Sequence, residues 1–182
     1  GHNDQPGKPG RATDRATGFP ANLKRYVAET RARGATPILL TPLVRRQFVD
    51  GRLQNDLEPW AEAVRAVAAE TNTPLVDLNR ASAETVQALG PAMSARFAQA
   101  APSPEVAAAL LTGTTIASST GVPTTPGAPA VAQNNAAVEP LGQARVSFDY
   151  THLGRDGADF FSALVTRDLI AAAPSMRRLL IP

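Results

Sequence analysis

Two short apolar runs limit the folds open to this sequence. Residues 36–41 and 74–78 show no alternation of polar and apolar side chains, which is typical of strands buried on both faces of a parallel sheet. Apolar residues at helical spacing predict helices over about 20–33 and 57–70. Because helices and strands then alternate along the chain, the sequence favours βαβ units and an α/β fold.

The second half of the sequence predicts further helices. Short helices are expected over 81–89 and 92–97, and a Gly-Pro pair separates them. A helical turn is expected near 104–111. The last helix is predicted over about 155–172, where Phe, Leu and Val residues form an apolar face.

One segment differs in composition from the rest. Residues 101–145 consist mainly of Ala, Pro, Thr, Ser and Gly with almost no charge, so we expect a long flexible insertion there. Length alone gives no reason to divide the remaining chain. We therefore predict a single domain over 1–182 that carries this insertion.

Charge and composition exclude several classes of function. A net charge of +2 argues against a nucleic-acid partner, and the pairs Arg45-Arg46 and Arg177-Arg178 are predicted to lie on solvated surface. No stretch approaches the roughly 18 apolar residues of a membrane span, so no membrane partner is expected. The absence of cysteine excludes disulfides, thiolate catalysis and Cys-ligated metals.

The sequence offers only two histidines for acid-base chemistry, His2 and His152. Asp149 lies three residues before His152 at a predicted strand-to-helix junction, so one tight turn can bring its carboxylate to the imidazole. Such a carboxylate fixes the tautomer and stabilises the imidazolium. The alternative is an ordinary helix cap with a histidine nearby, because Asp-x-x-His alone is a weak signal.

Two blocks at opposite ends of the chain have counterparts in a known superfamily. Residues 149–158 (DYTHLGRDGA) and 1–4 (GHND) together resemble two signature blocks of the SGNH, or GDSL-like, hydrolases. Residues 1–100 and 146–182 are similar to the rhamnogalacturonan acetylesterase branch, in which Gly-His-Asn-Asp and Asp-x-Thr-His followed by Gly-Ala recur. The segment 34–42 is also similar to that branch.

The resemblance implies a serine esterase with a flavodoxin-like three-layer α/β/α fold, whose site lies at the C-terminal ends of parallel strands. It implies that His152 acts as base and then acid, and that Asp149 orients it. It also implies that the side-chain amide of Asn3 donates to the oxyanion. The alternative for Asn3 is a turn residue that bonds its own backbone.

His2 stands beside the predicted oxyanion residue, and we expect it to pack or to contact substrate. Asp4 is expected to hold the loop. A metal site built from His2, His152 and an aspartate is an alternative, but the spacing matches no compact ligand motif. No metal or cofactor is therefore expected.

The sequence departs from the superfamily in one respect, because the Gly-Asp-Ser block that carries the nucleophile is absent. No serine has a Gly-Asp-Ser or Gly-x-Ser-x-Gly context. We therefore expect an incomplete chain that lacks the first strands of its sheet and is inactive in isolation, with the upstream segment as a partner. The serines in question are Ser82, Ser94, Ser103, Ser118, Ser119, Ser147, Ser162 and Ser175.

The expected activity is removal of O-acetyl groups from pectic or related polysaccharides, outside the cytoplasm in an extracellular or periplasmic location. One alternative is a broad-specificity esterase or lipase acting on small acyl esters, because the triad does not discriminate these substrates. The other alternative is a non-catalytic binding module, since a chain without its nucleophile has no route to an acyl-enzyme.

Overall fold

The computed structural model describes residues 1–8, 10–118 and 147–180. Most of the predicted insertion therefore lies outside the described residues. The described residues form five α-helices and four short strands: α1 (Gly18–Ala32), β1 (Leu39–Leu40), β2 (Phe48–Val49), β3 (Arg52–Leu53), α2 (Glu58–Glu70), β4 (Leu75–Val76), α3 (Leu78–Ser94), α4 (Pro104–Leu111) and α5 (Arg155–Ala172). Short 3-10 helices cover Ala95–Phe97 and Pro174–Leu179.

The chain divides into two compact units. The first unit comprises Gly1–Val44, Asn55–Glu84 and Phe160–Pro182, and the second comprises Arg45–Gln54 and Thr85–Asp159. The prediction of one domain over 1–182 stays a prediction.

The first unit contains a parallel pair of strands. β1 pairs with β4 so that Leu39 lies opposite Leu75, and the N–H of Leu39 donates to the Pro74 carbonyl at 2.9 Å. α2 lies between the two strands in the sequence, which is the strand-helix-strand order of a βαβ unit. The predicted α/β class is confirmed.

Helix α2 forms because its apolar residues recur at helical spacing. Trp60, Val64 and Val67 are each at most 4% exposed, and they lie on one side of the helix. Trp60 meets Phe19 of α1 edge to face, with ring centroids 4.9 Å apart. Leu57 completes this cluster, which forms the apolar core of the first unit.

The second unit contains a hairpin that the sequence analysis did not predict. β2 and β3 are antiparallel, with Phe48 opposite Leu53. The turn residues Asp50 and Gly51 have φ values of 50° and 74°, the left-handed conformation of a tight two-residue hairpin turn. Phe48 is fully buried, so the hairpin anchors one face of this unit.

The predicted break at Gly90 is present within the range of α3. Gly90 has a φ of 71° and a ψ of 175°, which is not a helical conformation, and Pro91 follows it. Only glycine adopts that φ without strain, and proline cannot donate to the preceding turn. α3 therefore consists of two helical parts with a kink between them, at the Gly-Pro pair that the sequence marked.

The second unit has its own apolar cluster. Val106 and Leu110 of α4 pack with Ala95 and Tyr150, and Phe148 is packed against them. Tyr150 meets Phe148 edge to face at 5.2 Å. Because Tyr150 follows Asp149 directly, this cluster fixes the backbone of the predicted catalytic turn.

Candidate active site

The turn between Asp149 and His152 holds a carboxylate against an imidazole. Asp149 Oδ2 lies 2.8 Å from His152 Nδ1. The other oxygen, Oδ1, accepts the backbone N–H groups of Thr151 at 2.7 Å and His152 at 2.6 Å. The same side chain thus closes the turn and orients the imidazole, as the spacing predicted.

The two side chains differ in exposure. The His152 side chain is 63% exposed, whereas that of Asp149 is 25% exposed. With Nδ1 directed to Asp149, Nε2 is the ring nitrogen left to exchange a proton with a group outside the pair. The arrangement suits general acid-base chemistry at an accessible imidazole.

The pKa of Asp149 lies below its ordinary value. Burial acts in the opposite direction and disfavours the carboxylate, but the hydrogen bonds from the His152 ring and from the N–H groups of His152 and Thr151 outweigh it. Asp149 is therefore ionised at neutral pH, as an imidazole-orienting carboxylate must be.

Two glycines of the C-terminal block, Gly154 and Gly157, lie where there is no room for a side chain. The N–H of Gly154 donates to the Phe97 carbonyl at 2.8 Å. A Cβ on Gly154 would lie 2.5 Å from the Ala98 carbonyl oxygen, and a Cβ on Gly157 would lie 2.6 Å from that of Phe97. Any larger residue would push the start of α5 away from this backbone.

The interpretation of Arg45-Arg46 as solvated surface is wrong. Arg45 is 3% exposed and Arg46 is 1% exposed. Arg46 lies under the Asp149–His152 turn, where its guanidinium donates to backbone carbonyls. The signal in the sequence was weak: the pair sits between apolar Val44 and Phe48, which are both buried. By contrast, Arg177 and Arg178 are exposed, as expected.

The predicted oxyanion residue belongs to the first unit. Asn3 is exposed and His2 is partly exposed, and both lie in a turn. A Cβ on neighbouring Gly1 would lie 3.2 Å from Cγ of Pro42, so the block packs beside the residues that follow β1. The structure brings Asp149 and His152 together in the second unit, while the roles of Asn3 and His2 stay predictions.

Comparison with known proteins gives two relatives. No family model and no solved structure matches the chain. A Bacillus subtilis (strain 168) protein named probable rhamnogalacturonan acetylesterase YesY is 40% identical over 79 residues, 43% of this chain and 36% of the relative. Rhamnogalacturonan acetylesterase RhgT of the same organism is 35% identical over 98 residues, 53% of this chain and 41% of the relative. The chain is related to the rhamnogalacturonan acetylesterases.

This relationship confirms the resemblance predicted from the blocks at 1–4 and 149–158. The matched segments cover 36% and 41% of the two acetylesterases, so the chain spans about two fifths of the length of the relatives it matches.

Three serines of the chain make hydrogen bonds that stabilise its own structure. Ser82 is fully buried, accepts the Val44 N–H at 3.3 Å and donates to the Asn79 carbonyl at 3.1 Å. Ser94 is also fully buried and donates to the Pro91 carbonyl. Ser103 accepts the Val106 N–H as the N-terminal cap of α4. These three hydroxyls stabilise helices.

A polar network that the sequence analysis missed lies at the carboxyl ends of β1 and β4. Thr41 donates to Asp77 at 3.0 Å and accepts the N–H of Asn79 at 2.8 Å. Arg65 of α2 donates to both Asp77 oxygens, at 2.9 and 3.1 Å. Burial opposes ionisation of Asp77, but the bonds from Arg65 and Thr41 hold its pKa below the ordinary value. The network joins the strands to α2.

The described residues contain no group of three or more His, Cys, Asp or Glu side chains placed to hold a metal ion. Within the same residues, no helix is long and apolar enough to cross a membrane.

Proposed function

We propose that this chain is part of a serine-type ester hydrolase that removes O-acetyl groups from rhamnogalacturonan or a related pectic polysaccharide. The observation that carries the proposal is the contact of 2.8 Å between His152 Nδ1 and Asp149 Oδ2, at an imidazole that is 63% exposed. The names of the two relatives supply the substrate class.

The geometry supports a different chemical role for each of the two residues, His152 and Asp149. His152 takes the proton of an attacking serine hydroxyl through Nε2 and delivers it to the sugar oxygen as its bond to the acetyl carbon breaks. Water, activated by the same imidazole, then releases acetate from the acetyl-serine. Ionised Asp149 stabilises the imidazolium that forms between these steps. Asn3, in this proposal, donates its amide to the oxyanion of the tetrahedral intermediate.

The proposal places the nucleophilic serine outside the 182 residues. Its support is that the sequence has no Gly-Asp-Ser block and that Ser82, Ser94 and Ser103 have structural bonds. The sequence encoded immediately before Gly1 tests this point directly. A Gly-Asp-Ser block there supports it, and a complete reading frame without such a block contradicts it.

An activity measurement on the full gene product tests the function. Acetate release from acetylated rhamnogalacturonan is compared with hydrolysis of p-nitrophenyl butyrate and octanoate. We expect acetate release, and a loss of at least about 10⁴-fold in kcat for His152→Gln. Preference for the longer acyl chains would instead indicate a broad-specificity esterase.

A fluorophosphonate probe separates an esterase from a binding module. The probe is expected to label one serine of the full gene product, and labelling is expected to fall in His152→Gln because the hydroxyl is no longer activated. Tight binding of the polysaccharide without labelling or acetate release would indicate a non-catalytic module.

We also propose that the protein acts outside the cytoplasm, because a polysaccharide of plant cell walls is met there. Fractionation of the native host into cytoplasm, periplasm and medium tests this location. Recovery of the protein in the cytoplasmic fraction alone would contradict it.

A further inference from the structure

One buried residue, Arg46, binds all four backbone carbonyls of the predicted catalytic turn. The Arg46 guanidinium donates through Nη2 to the carbonyls of Asp149 at 3.1 Å and His152 at 2.8 Å, and through Nη1 to that of Thr151 at 3.5 Å. The backbone N–H of Arg46 donates to the remaining carbonyl, that of Tyr150, at 2.9 Å. All four consecutive carbonyls of the turn thus accept hydrogen bonds from one residue.

The backbone N–H groups and the backbone carbonyls of the turn are bound by different residues. The Asp149 carboxylate accepts the N–H groups of Thr151 and His152, and Arg46 occupies the carbonyls. A turn held on its donors and on its acceptors has little freedom to rotate its peptide planes. Because the imidazole is attached to this backbone, its direction depends on both sets of bonds.

The position of Arg46 is costly, which indicates a specific role. The side chain is 1% exposed, and its Nε has no hydrogen-bond partner among the described residues. Burial lowers the pKa of Arg46 to about 10, against the attraction of Asp149, so the guanidinium remains charged at neutral pH. A buried cation is tolerated only where hydrogen bonds compensate it, and here they come from the turn.

The contacts require an arginine. A guanidinium is a planar fork whose separate nitrogens donate in fixed directions, and it can serve three carbonyls at once. A lysine ammonium is a single point on a flexible stem and cannot reproduce this spread. The side chain at position 46 therefore sets the shape of the turn as well as its charge.

We propose that Arg46 is a positioning residue, which holds the Asp149–His152 turn so that His152 Nδ1 stays directed at the Asp149 carboxylate. The expected effect of Arg46 on kcat rests on the proposed function. Its effect on the orientation of the His152 imidazole can be measured without any enzyme activity.

The test compares three variants of the full gene product. Arg46→Lys keeps the charge and loses the fork, and Arg46→Met loses both. Arg65→Lys is the matched control, because the Arg65 guanidinium also donates more than one hydrogen bond, but to the Asp77 carboxylate in the first unit and not to the turn. For both Arg46 variants we expect kcat to fall about 10- to 100-fold with KM within about twofold of wild type. We expect Arg65→Lys to lower Tm and leave kcat within about twofold.

A nuclear magnetic resonance measurement reports on the imidazole directly. The His152 Nδ1–H resonance is identified by its absence from His152→Gln. We expect it at low field in wild type and Arg65→Lys, and lost or shifted upfield in folded Arg46→Lys and Arg46→Met. An unchanged resonance together with unchanged kcat in a folded Arg46 variant would overturn the proposal.

The wild-type protein provides a further readout should both Arg46 variants fail to fold. The Arg46 Nη protons are expected to exchange slowly with solvent and to show nuclear Overhauser contacts to the backbone of the turn. Rapid exchange without such contacts would overturn the proposal. A wild-type protein that fails to release acetate contradicts the proposed function alone, because the resonance of His152 still responds to Arg46.

Discussion

Asp149 and His152 are joined by two hydrogen bonds, one at the imidazole Nδ1 at 2.8 Å and one from the backbone N–H at 2.6 Å. Substitution of Asp149 by Asn keeps an oxygen for the backbone N–H groups but presents an amide to the ring, which favours the wrong tautomer. We expect kcat for ester hydrolysis to fall by about 10⁴-fold with little loss of stability.

Steady-state kinetics of Asp149→Asn beside Asp156→Asn measure this effect. Asp156 is exposed in the first turn of α5, so its substitution removes the same charge without touching the imidazole. Similar losses in both variants would show that only the net charge near the turn matters.

Stability is expected to fall in acid because of Asp77. Its pKa in the folded chain is lowered from 3.8, so the ionised group stabilises the fold above about pH 4 and this contribution is lost as the pH falls through the lowered pKa. Urea denaturation from pH 7 to pH 2 should show this decline. The Asp77→Asn variant should be less stable at pH 7 by about 1–3 kcal/mol and decline less steeply. Parallel pH curves would contradict the assignment.

Gly157→Ala is expected to destabilise the protein, although alanine normally favours helices. The added Cβ would lie 2.6 Å from the Phe97 carbonyl oxygen, and the overlap should cost about 1–3 kcal/mol in the free energy of unfolding. Ala163→Gly, at an exposed position of α5, measures the effect of helix propensity alone and should lower the free energy of unfolding by about 1 kcal/mol. A stabilised Gly157→Ala variant in chemical denaturation would show that α5 does not approach this backbone.

Tyr150→Phe is expected to lower stability by about 1 kcal/mol, because the Ile116 carbonyl loses the hydroxyl that donates to it at 2.8 Å. Burial also raises the pKa of Tyr150 to about 12, so the tyrosine absorbance titration should lose its step near that pH. Tyr26→Phe is the control, since Tyr26 is 55% exposed, and it should change stability by less than about 0.5 kcal/mol. Equal effects on Tm would contradict the burial of Tyr150.

The helices could be predicted from sequence because their apolar residues recur at a regular spacing. α5 has the predicted bounds, and α2 begins one residue later than predicted. The Gly90-Pro91 pair marked the break inside α3, because glycine adopts the left-handed φ without strain and proline cannot donate to the preceding turn.

The hairpin and Arg46 were missed for different reasons. The Asp50-Gly51 pair is a strong hairpin signal, but strands of two residues are too short to show alternation. Arg46 resembled a surface residue because a lone arginine pair is normally solvated, and its partners lie more than 100 positions away in sequence. By contrast, the Asp149–His152 contact is local, so the spacing alone predicted it.

Arg46 lies about 100 residues before the Asp-x-x-His block, so a fragment of the chain can contain the block without the arginine that supports it. A fragment that begins after Gln54 keeps Asp149, His152 and the glycines of α5, yet it lacks the side chain that occupies the carbonyls of the turn. Grafting the block onto another scaffold, or cutting the chain between these segments, would therefore transfer the motif without its support. A search for such sites in other sequences gains specificity when it requires a buried arginine donor from a distant segment as well as the three-residue spacing.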